Sequence, residues 1–179
     1  MARNNTTVNL PTISELNKLP YEEFVSSLNI LFESAPPLAK HLYYSSRPFT
    51  SYKSLITIAK EYLEIINAHP RLGDNRKNLS IMSLNEQGYN NNASSSENVN
   101  ANVNEEEDKI NSKLQELNSQ YENKFGFKFV IFVNGRSRKE LIPIIEEKIQ
   151  NGDKDEELNR GLIDMMDIAM DRLKKLNCE

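Results

Sequence analysis

The sequence predicts an all-α fold, a single-domain helical bundle over residues 1–179 with a disordered insertion rich in asparagine and serine. Apolar residues recur every three or four positions along most of the chain, the spacing of amphipathic helices. Only residues 127–133 resemble a strand, and with no second run to pair with, this segment should be extended and buried among helices. A length of 179 residues suits one domain with one core.

Two helices are predicted in the first half of the chain. The first follows Pro20 and carries an apolar stripe of Tyr21, Phe24, Leu28, Leu31 and Phe32. The second should be one helix, capped by Thr50 or Ser51 and ended with the help of Pro70. Its stripe consists of Leu55, Ile58, Ala59, Tyr62, Leu63 and Ile66.

The next segment, residues 88–108, differs from the rest in composition. It is rich in asparagine and serine, poor in large apolar residues, and ends in acidic residues. Such a segment buries too little apolar surface to offset the entropy of ordering it. We therefore expect a disordered insertion within the domain.

Three helices are predicted after the insertion. The first has a stripe of Ile110, Leu114, Leu117 and Tyr121 and stops near Gly126. Ser137 and Glu140 have the spacing of a capping box, which indicates a helix start, although Pro143 favours a later start or a bend. The last helix carries Leu158, Leu162, Met165, Ala169 and Leu176.

Composition excludes several classes of partner. The formal net charge is −4 and the basic residues are dispersed, so we expect no nucleic-acid partner and no membrane surface. The single cysteine, Cys178, cannot form an internal disulfide, and no Cys/His cluster offers zinc ligands, so no metal is expected. The chain is predicted to be intracellular, although it does not end in a Ser-Lys-Leu peroxisomal signal.

His69 is the first candidate for catalysis. Pro70 disfavours helical backbone at the preceding residue, so His69 should lie where a helix stops, with its ring free to face a pocket. The carboxyl end of a helix favours a protonated imidazole, which would suit acid–base work near neutral pH. The alternative is a histidine that only caps the last carbonyls of the helix.

Two other groups of residues have both a structural and a functional interpretation. Ser83 and Glu86 are spaced as a capping box, but a helix N-terminus beside Gln87 could also bind an anionic or ureido group. Arg172 lies on the apolar face of the last helix, while Asp171, Lys174 and Lys175 should face solvent. Its guanidinium therefore needs a carboxylate, from a substrate or from the protein, unless its stem extends to the rim.

Several motifs together resemble those of the 2-oxo-4-hydroxy-4-carboxy-5-ureidoimidazoline (OHCU) decarboxylases, a family of purine degradation. They occur in the family's order and cover most of the chain. They are Arg47-Pro48-Phe49, Ala68-His69-Pro70-Arg71-Leu72-Gly73, Ser83-x-x-Glu86-Gln87, the run from Phe125 to Ile131, the helix start between Gly135 and Glu140, and Arg172-Leu173-x-x-Leu176.

The resemblance implies an all-α homodimer, cytoplasmic or peroxisomal, that decarboxylates OHCU to (S)-allantoin without a metal or organic cofactor. It implies that His69 is the catalytic acid/base, supported by Glu86 and Arg172. Arg172 could bind the substrate carboxylate or hold Glu86. The substrate site would be lined by Pro70, Ser83, Leu84, Asn85, Glu86, Gln87, Phe129, Val130, Ile131, Phe132 and Val133.

Two other functions are compatible with the same sequence. The chain could be a helical interaction module that lost its activity and docks through the acidic, asparagine-rich segment. It could also be a hydrolase of another ureide, in which His69 and Glu86 activate water. A hydrolase of this kind would release no CO2 and would leave OHCU untouched.

Overall fold

The computed structural model describes residues 9–33, 36–74, 79–89 and 101–176, and these residues form helices without a strand. The all-α prediction is therefore confirmed. The helices are α1 Ile13–Leu16, α2 Tyr21–Phe32, α3 Pro36–His41, a π-helix Leu42–Ser46, α4 Tyr52–Ala59, a 3-10 helix Leu63–Asn67, α5 Ile81–Glu86, α6 Ala101–Phe125, α7 Arg138–Asn151 and α8 Lys154–Lys175.

Four of the predicted helices are confirmed as α2, α6, α7 and α8. The predicted capping box opens α7, since Ser137 accepts from the Glu140 backbone N–H and Glu140 accepts from the Ser137 backbone N–H. Pro143 does not delay or end α7, which begins at Arg138 and contains the proline. The capping box therefore decides where this helix starts.

The single helix predicted through Ile66 is wrong. Ser51 does cap α4, by accepting from the backbone N–H of Ser54, but α4 ends at Ala59. Tyr62 then has extended backbone angles, and a separate 3-10 helix follows. The break buries the adjacent residues Ile65 and Ile66, which are only 1% and 2% exposed. The 3-10 helix packs against α8, so the apolar residues after the break still join the core.

The prediction of disorder over residues 88–108 is wrong wherever the structure describes that segment. Tyr89 is buried, and residues 101–108 are the first turns of α6. Glu106 and Glu107 pair with Lys139 and Arg138 of α7, which explains why acidic residues favour order here. Residues 90–100 lie outside the described residues.

Helix α8 organises the core, because it packs against α2, α4 and the 3-10 helix, while α6 packs against α7. The segment 127–133, named the extended segment after its predicted form, is neither helix nor strand and contributes buried side chains to the core. An aromatic cluster anchors its start: the rings of Phe125, Phe127 and Phe129 surround Tyr121 at centroid distances of 4.4, 5.9 and 5.0 Å. The tyrosine hydroxyl donates to Glu157, which also accepts from Lys148.

No helix in the described ranges has both the length and the apolar character needed to cross a bilayer.

Gly73 should be among the least replaceable residues of the fold. Its φ of +76° is left-handed, and an added Cβ would lie 3.0 Å from Leu114 Cδ1 and 3.1 Å from Leu114 Cβ. Gly88 has nearly the same φ, +75°, but open space around it. We expect Gly88→Ala to cost about 1 kcal/mol of stability from backbone strain. Gly73→Ala should cost about 1–3 kcal/mol more from overpacking against Leu114.

Urea denaturation of the two variants would measure this difference, since both share the backbone strain. Equal losses in the free energy of unfolding would contradict the close packing of Gly73 against α6.

Candidate active site

A pocket of about 350 Å³ opens where α5, α8, the turn after the 3-10 helix and the extended segment meet. Ten of the thirteen predicted site residues line it: His69, Pro70, Asn85, Glu86, Gln87, Phe129, Val130, Ile131, Phe132 and Val133. The structure therefore brings together residues that are up to 64 positions apart in the chain.

Ser83 and Leu84 do not line this pocket, unlike the other residues predicted to bind the substrate. The helix that contains them begins earlier than the capping-box pattern suggests. Ser80 is the N-cap of α5 and accepts from the Ser83 backbone N–H, so Ser83 lies inside the helix and the predicted capping box is wrong. Residues 85–87 form the carboxyl end of α5 at the pocket, and this end presents no free helix N–H groups to an anion.

His69 lies in the turn that follows the 3-10 helix, where Pro70 was expected to hold it. It is half-buried, lines the pocket, and its ring makes no hydrogen bond to another described residue. Its backbone carbonyl accepts from Lys128 Nζ at 3.2 Å. The imidazole therefore faces the pocket and does not cap the preceding helix.

The expected protonated imidazole is not what the structure produces. Removal from solvent lowers the pKa of His69 to about 4, and the positive charges of Arg172 and Lys128 act in the same direction. The carboxylate of Glu33 opposes them but does not prevail. His69 is therefore neutral near pH 7, because these effects outweigh the helix end, which is a single 3-10 turn with a weak dipole.

Arg172 resolves the choice between a substrate carboxylate and a protein carboxylate in favour of the protein. Its Nε donates to Glu86 Oε1 at 2.7 Å and its Nη2 donates to Glu86 Oε2 at 2.6 Å. This two-point contact fixes the plane of the Glu86 carboxylate, which lines the pocket. Arg172 itself is fully buried and does not line the pocket.

The rest of the Arg172 guanidinium joins α8 to α2. Its Nη1 donates to the backbone carbonyls of Ile30 and Leu31, each at 3.3 Å, in the last turn of α2. These carbonyls belong to a helix end, where intrahelical donors run out. The same side chain thus caps one helix and positions the functional group of another.

Glu33 is a buried carboxylate that the sequence analysis missed. It accepts from the Ser80 backbone N–H at 2.8 Å, from the Ser83 hydroxyl, and from Arg172 Nη2 at 3.3 Å. Burial raises the pKa of Glu33, but the Ser83 and Ser80 hydrogen bonds and the nearby Arg172 outweigh it, and the pKa is lowered. The one sequence signal was an acidic residue directly after the buried stripe of α2.

Gln87, at the end of α5, connects this helix to the turn that carries His69. It is buried, and its Oε1 accepts from the Gly73 backbone N–H at 3.0 Å. Its Nε2 donates to the Arg71 carbonyl at 3.4 Å. Both contacts hold residues 71–73, which follow directly after His69 and Pro70.

The opposite wall is the extended segment. In the described part of the chain, no hydrogen bond joins the main chain of Phe129, Val130 or Ile131 to another residue. All three residues line the pocket, so their main-chain N–H and C=O groups are candidates to bind a ligand. A planar ligand with amide-like donors and acceptors would satisfy them.

Six further lining residues were not predicted: Leu72, Asn134, Gly135, Ile168, Asp171 and Lys175. Asp171 and Lys175 were expected to face solvent; their side chains are 29% and 58% exposed, at the open side of the pocket. Ile168, Asp171 and Lys175 follow the i, i+3, i+7 spacing of one helix face, which could have identified them. Within the described ranges, no three His, Cys, Asp or Glu side chains group in a way that could hold a metal ion.

Comparisons of this chain with known proteins consistently identify one family. A family model described as OHCU decarboxylase matches residues 17–174. The uric acid degradation bifunctional protein of Bacillus sp. (strain TB-90) is 31% identical over 92% of this chain, and the match spans 32% of that protein. The 2-oxo-4-hydroxy-4-carboxy-5-ureidoimidazoline decarboxylase of Halalkalicoccus jeotgali is 27% identical, covering 92% of this chain and 91% of that protein.

A solved structure supports the fold. The crystal structure of an OHCU decarboxylase in the presence of (S)-allantoin aligns with a TM-score of 0.53 at 21% identity, covering 83% of this chain and 96% of that chain. This chain spans about a third of the length of the Bacillus sp. relative.

The neutral His69 should make stability depend on pH. Between about pH 6.5 and pH 4 the unfolded chain protonates this histidine and the folded chain does not, so stability falls as the pH drops through this window. We expect the melting temperature of wild type to fall more steeply there than that of His69→Asn. His41→Asn, which replaces the other histidine, should retain the wild-type slope. A His69→Asn slope equal to that of wild type would contradict a neutral imidazole.

Proposed function

Because this chain belongs to the OHCU decarboxylase family, we propose that it removes CO2 from 2-oxo-4-hydroxy-4-carboxy-5-ureidoimidazoline and yields (S)-allantoin. One observation carries the proposal. A neutral imidazole, a carboxylate clamped by a buried arginine, and an extended main-chain segment with unused hydrogen-bonding groups all line one pocket of about 350 Å³. The volume suits a compact, single-ring ligand.

The substrate supplies its own electron sink. Its carboxylate and hydroxyl share one ring carbon, C4, and the neighbouring carbon, C5, is part of a C=N bond and carries the ureido group. When the bond from C4 to the carboxylate breaks, CO2 leaves and the electron pair forms a C4=C5 double bond, while the imine nitrogen takes up a proton from solvent water. The proposed reaction therefore requires neither a metal nor an organic cofactor.

His69 completes the reaction by moving one proton. Loss of CO2 leaves an enol, with its hydroxyl on C4. The neutral imidazole accepts the hydroxyl proton, and the imidazolium then returns a proton to C5 on one face of the ring. The low pKa of His69 supports the first half of this role, because a neutral ring is the form that accepts a proton.

The other site residues orient the ring. Glu86, held by Arg172, is suited to accept hydrogen bonds from the ureido N–H groups. Asn85 and residues 129–133 line the remaining walls, and the Asn85 amide and the main chain of residues 129–131 would bind the ring amides. In this proposal Arg172 acts on the substrate only through Glu86.

We also propose that the protein works as a homodimer, as the family resemblance implies. Tyr44 and Ile81 are large apolar side chains that are 69% and 65% exposed in the single chain, and a second copy could cover them. A cytoplasmic or peroxisomal location stays a prediction.

The proposed activity predicts a specific loss in His69→Asn. OHCU would be generated in the cuvette from urate by urate oxidase and hydroxyisourate hydrolase, and circular dichroism would follow the appearance of (S)-allantoin. Wild type should produce the optically active product faster than the spontaneous decay to racemic allantoin. His69→Asn should lower kcat by about 10²–10⁴-fold, the usual contribution of an acid–base group.

His41→Asn is the matched control, because His41 is exposed and lies outside the pocket. It should retain wild-type turnover. A His69→Asn enzyme with near-normal kcat would exclude the proton transfer, and a wild type that gives only the spontaneous racemic signal would exclude the decarboxylase.

A further inference from the structure

If the proposed function holds, the charges around the pocket would repel the substrate. The substrate brings a carboxylate, yet the buried charges behind the pocket are two carboxylates, Glu33 and Glu86, against one guanidinium, Arg172. Asp171 adds another carboxylate at the pocket itself. An anionic substrate would be repelled unless a cation faces it.

Arg172 is not available for that task. Its Nε is used by Glu86, its Nη1 by the carbonyls of Ile30 and Leu31, and its Nη2 by Glu33, Ser83 and Glu86. It is fully buried and does not line the pocket. Reaching a substrate would break contacts that hold α2, α5 and α8 together.

Lys175 is the cation that remains, because the nearby Lys128 does not line the pocket and its Nζ donates to the His69 carbonyl. Among the described residues that line the pocket, it is the only lysine or arginine. It lies in the last turn of α8, one turn beyond Asp171, with its Nζ 2.5 Å from Asp171 Oδ2. Its side chain is 58% exposed, so it can turn from Asp171 towards a ligand without disturbing the core.

We propose that Lys175 binds the carboxylate of the substrate and that Asp171 holds the lysine at the pocket until the substrate arrives. This role rests on the proposed function and makes Lys175 a specificity-determining residue. The attraction exists only while the carboxylate is present. Loss of CO2 removes the charge, Lys175 returns to Asp171, and the neutral product is free to leave.

Lys175→Met tests this role, and Lys174→Met is its matched control. Both variants remove one lysine charge from the last turn of α8, but Lys174 is exposed and does not line the pocket. Lys175→Met should raise KM for OHCU about tenfold, the effect of losing one charge-assisted hydrogen bond. Its kcat should stay level or rise, because the interaction stabilises the carboxylated ground state more than the transition state.

The inhibition constant of (S)-allantoin separates carboxylate binding from a structural role of Lys175. A structural role would change the affinity for the product as well as for the substrate. The product lacks the carboxylate, so its inhibition constant should be the same in wild type, Lys175→Met and Lys174→Met.

Three results would overturn the proposal. The first is a KM for OHCU that is equal in Lys175→Met and Lys174→Met. The second is a Lys175→Met variant that binds product and substrate more weakly by the same factor. These leave the decarboxylase intact, because wild type still turns over. The third, a wild type without turnover, overturns the proposed function and the role of Lys175 with it.

Discussion

The buried guanidinium of Arg172 is the constraint on which the rest of the structure depends. A charge that is fully removed from water must be paired and fully hydrogen-bonded, or it destabilises the fold. Arg172 meets this demand with Glu33 at the end of α2, with Glu86 and Ser83 of α5, and with the last carbonyls of α2. One side chain therefore fixes how three helices meet, and the pocket lies beside this junction.

The same junction determines the chemistry of the pocket. It presents the Glu86 carboxylate in one orientation, and its positive charge helps to keep the neighbouring His69 neutral. The acid–base group and the orienting carboxylate thus have separate roles, assigned by what surrounds each of them. Gln87 extends the order to the turn that carries His69, by accepting from the backbone N–H of Gly73. The buried hydrogen bonds that hold the helices together are therefore also the ones that position the site residues.

Much of this was readable from the sequence, because periodicity and local backbone rules act over a few residues. The stripes predicted α2, α6 and α8, Pro70 predicted that His69 would follow the end of a helix, and the apolar neighbours of Arg172 predicted its burial. What the sequence did not reveal depends on tertiary contacts. Glu33 becomes significant only when α2 meets α8. The apolar stripe continues across the break after Ala59, and Ser80 takes the N-cap position that was predicted for Ser83.

The central claim is that Arg172 serves the reaction by holding Glu86, and a double-mutant cycle measures it directly. Arg172→Lys keeps the charge but cannot make the two-point contact, and Glu86→Gln removes the carboxylate that it holds. The cycle would compare kcat/KM for OHCU in wild type, both single variants and the double variant. If Arg172 acts through Glu86, Arg172→Lys should lower kcat/KM in the wild-type background and change it little in the Glu86→Gln background. Independent, multiplicative losses would contradict the account and indicate that Arg172 serves the reaction by a route other than Glu86.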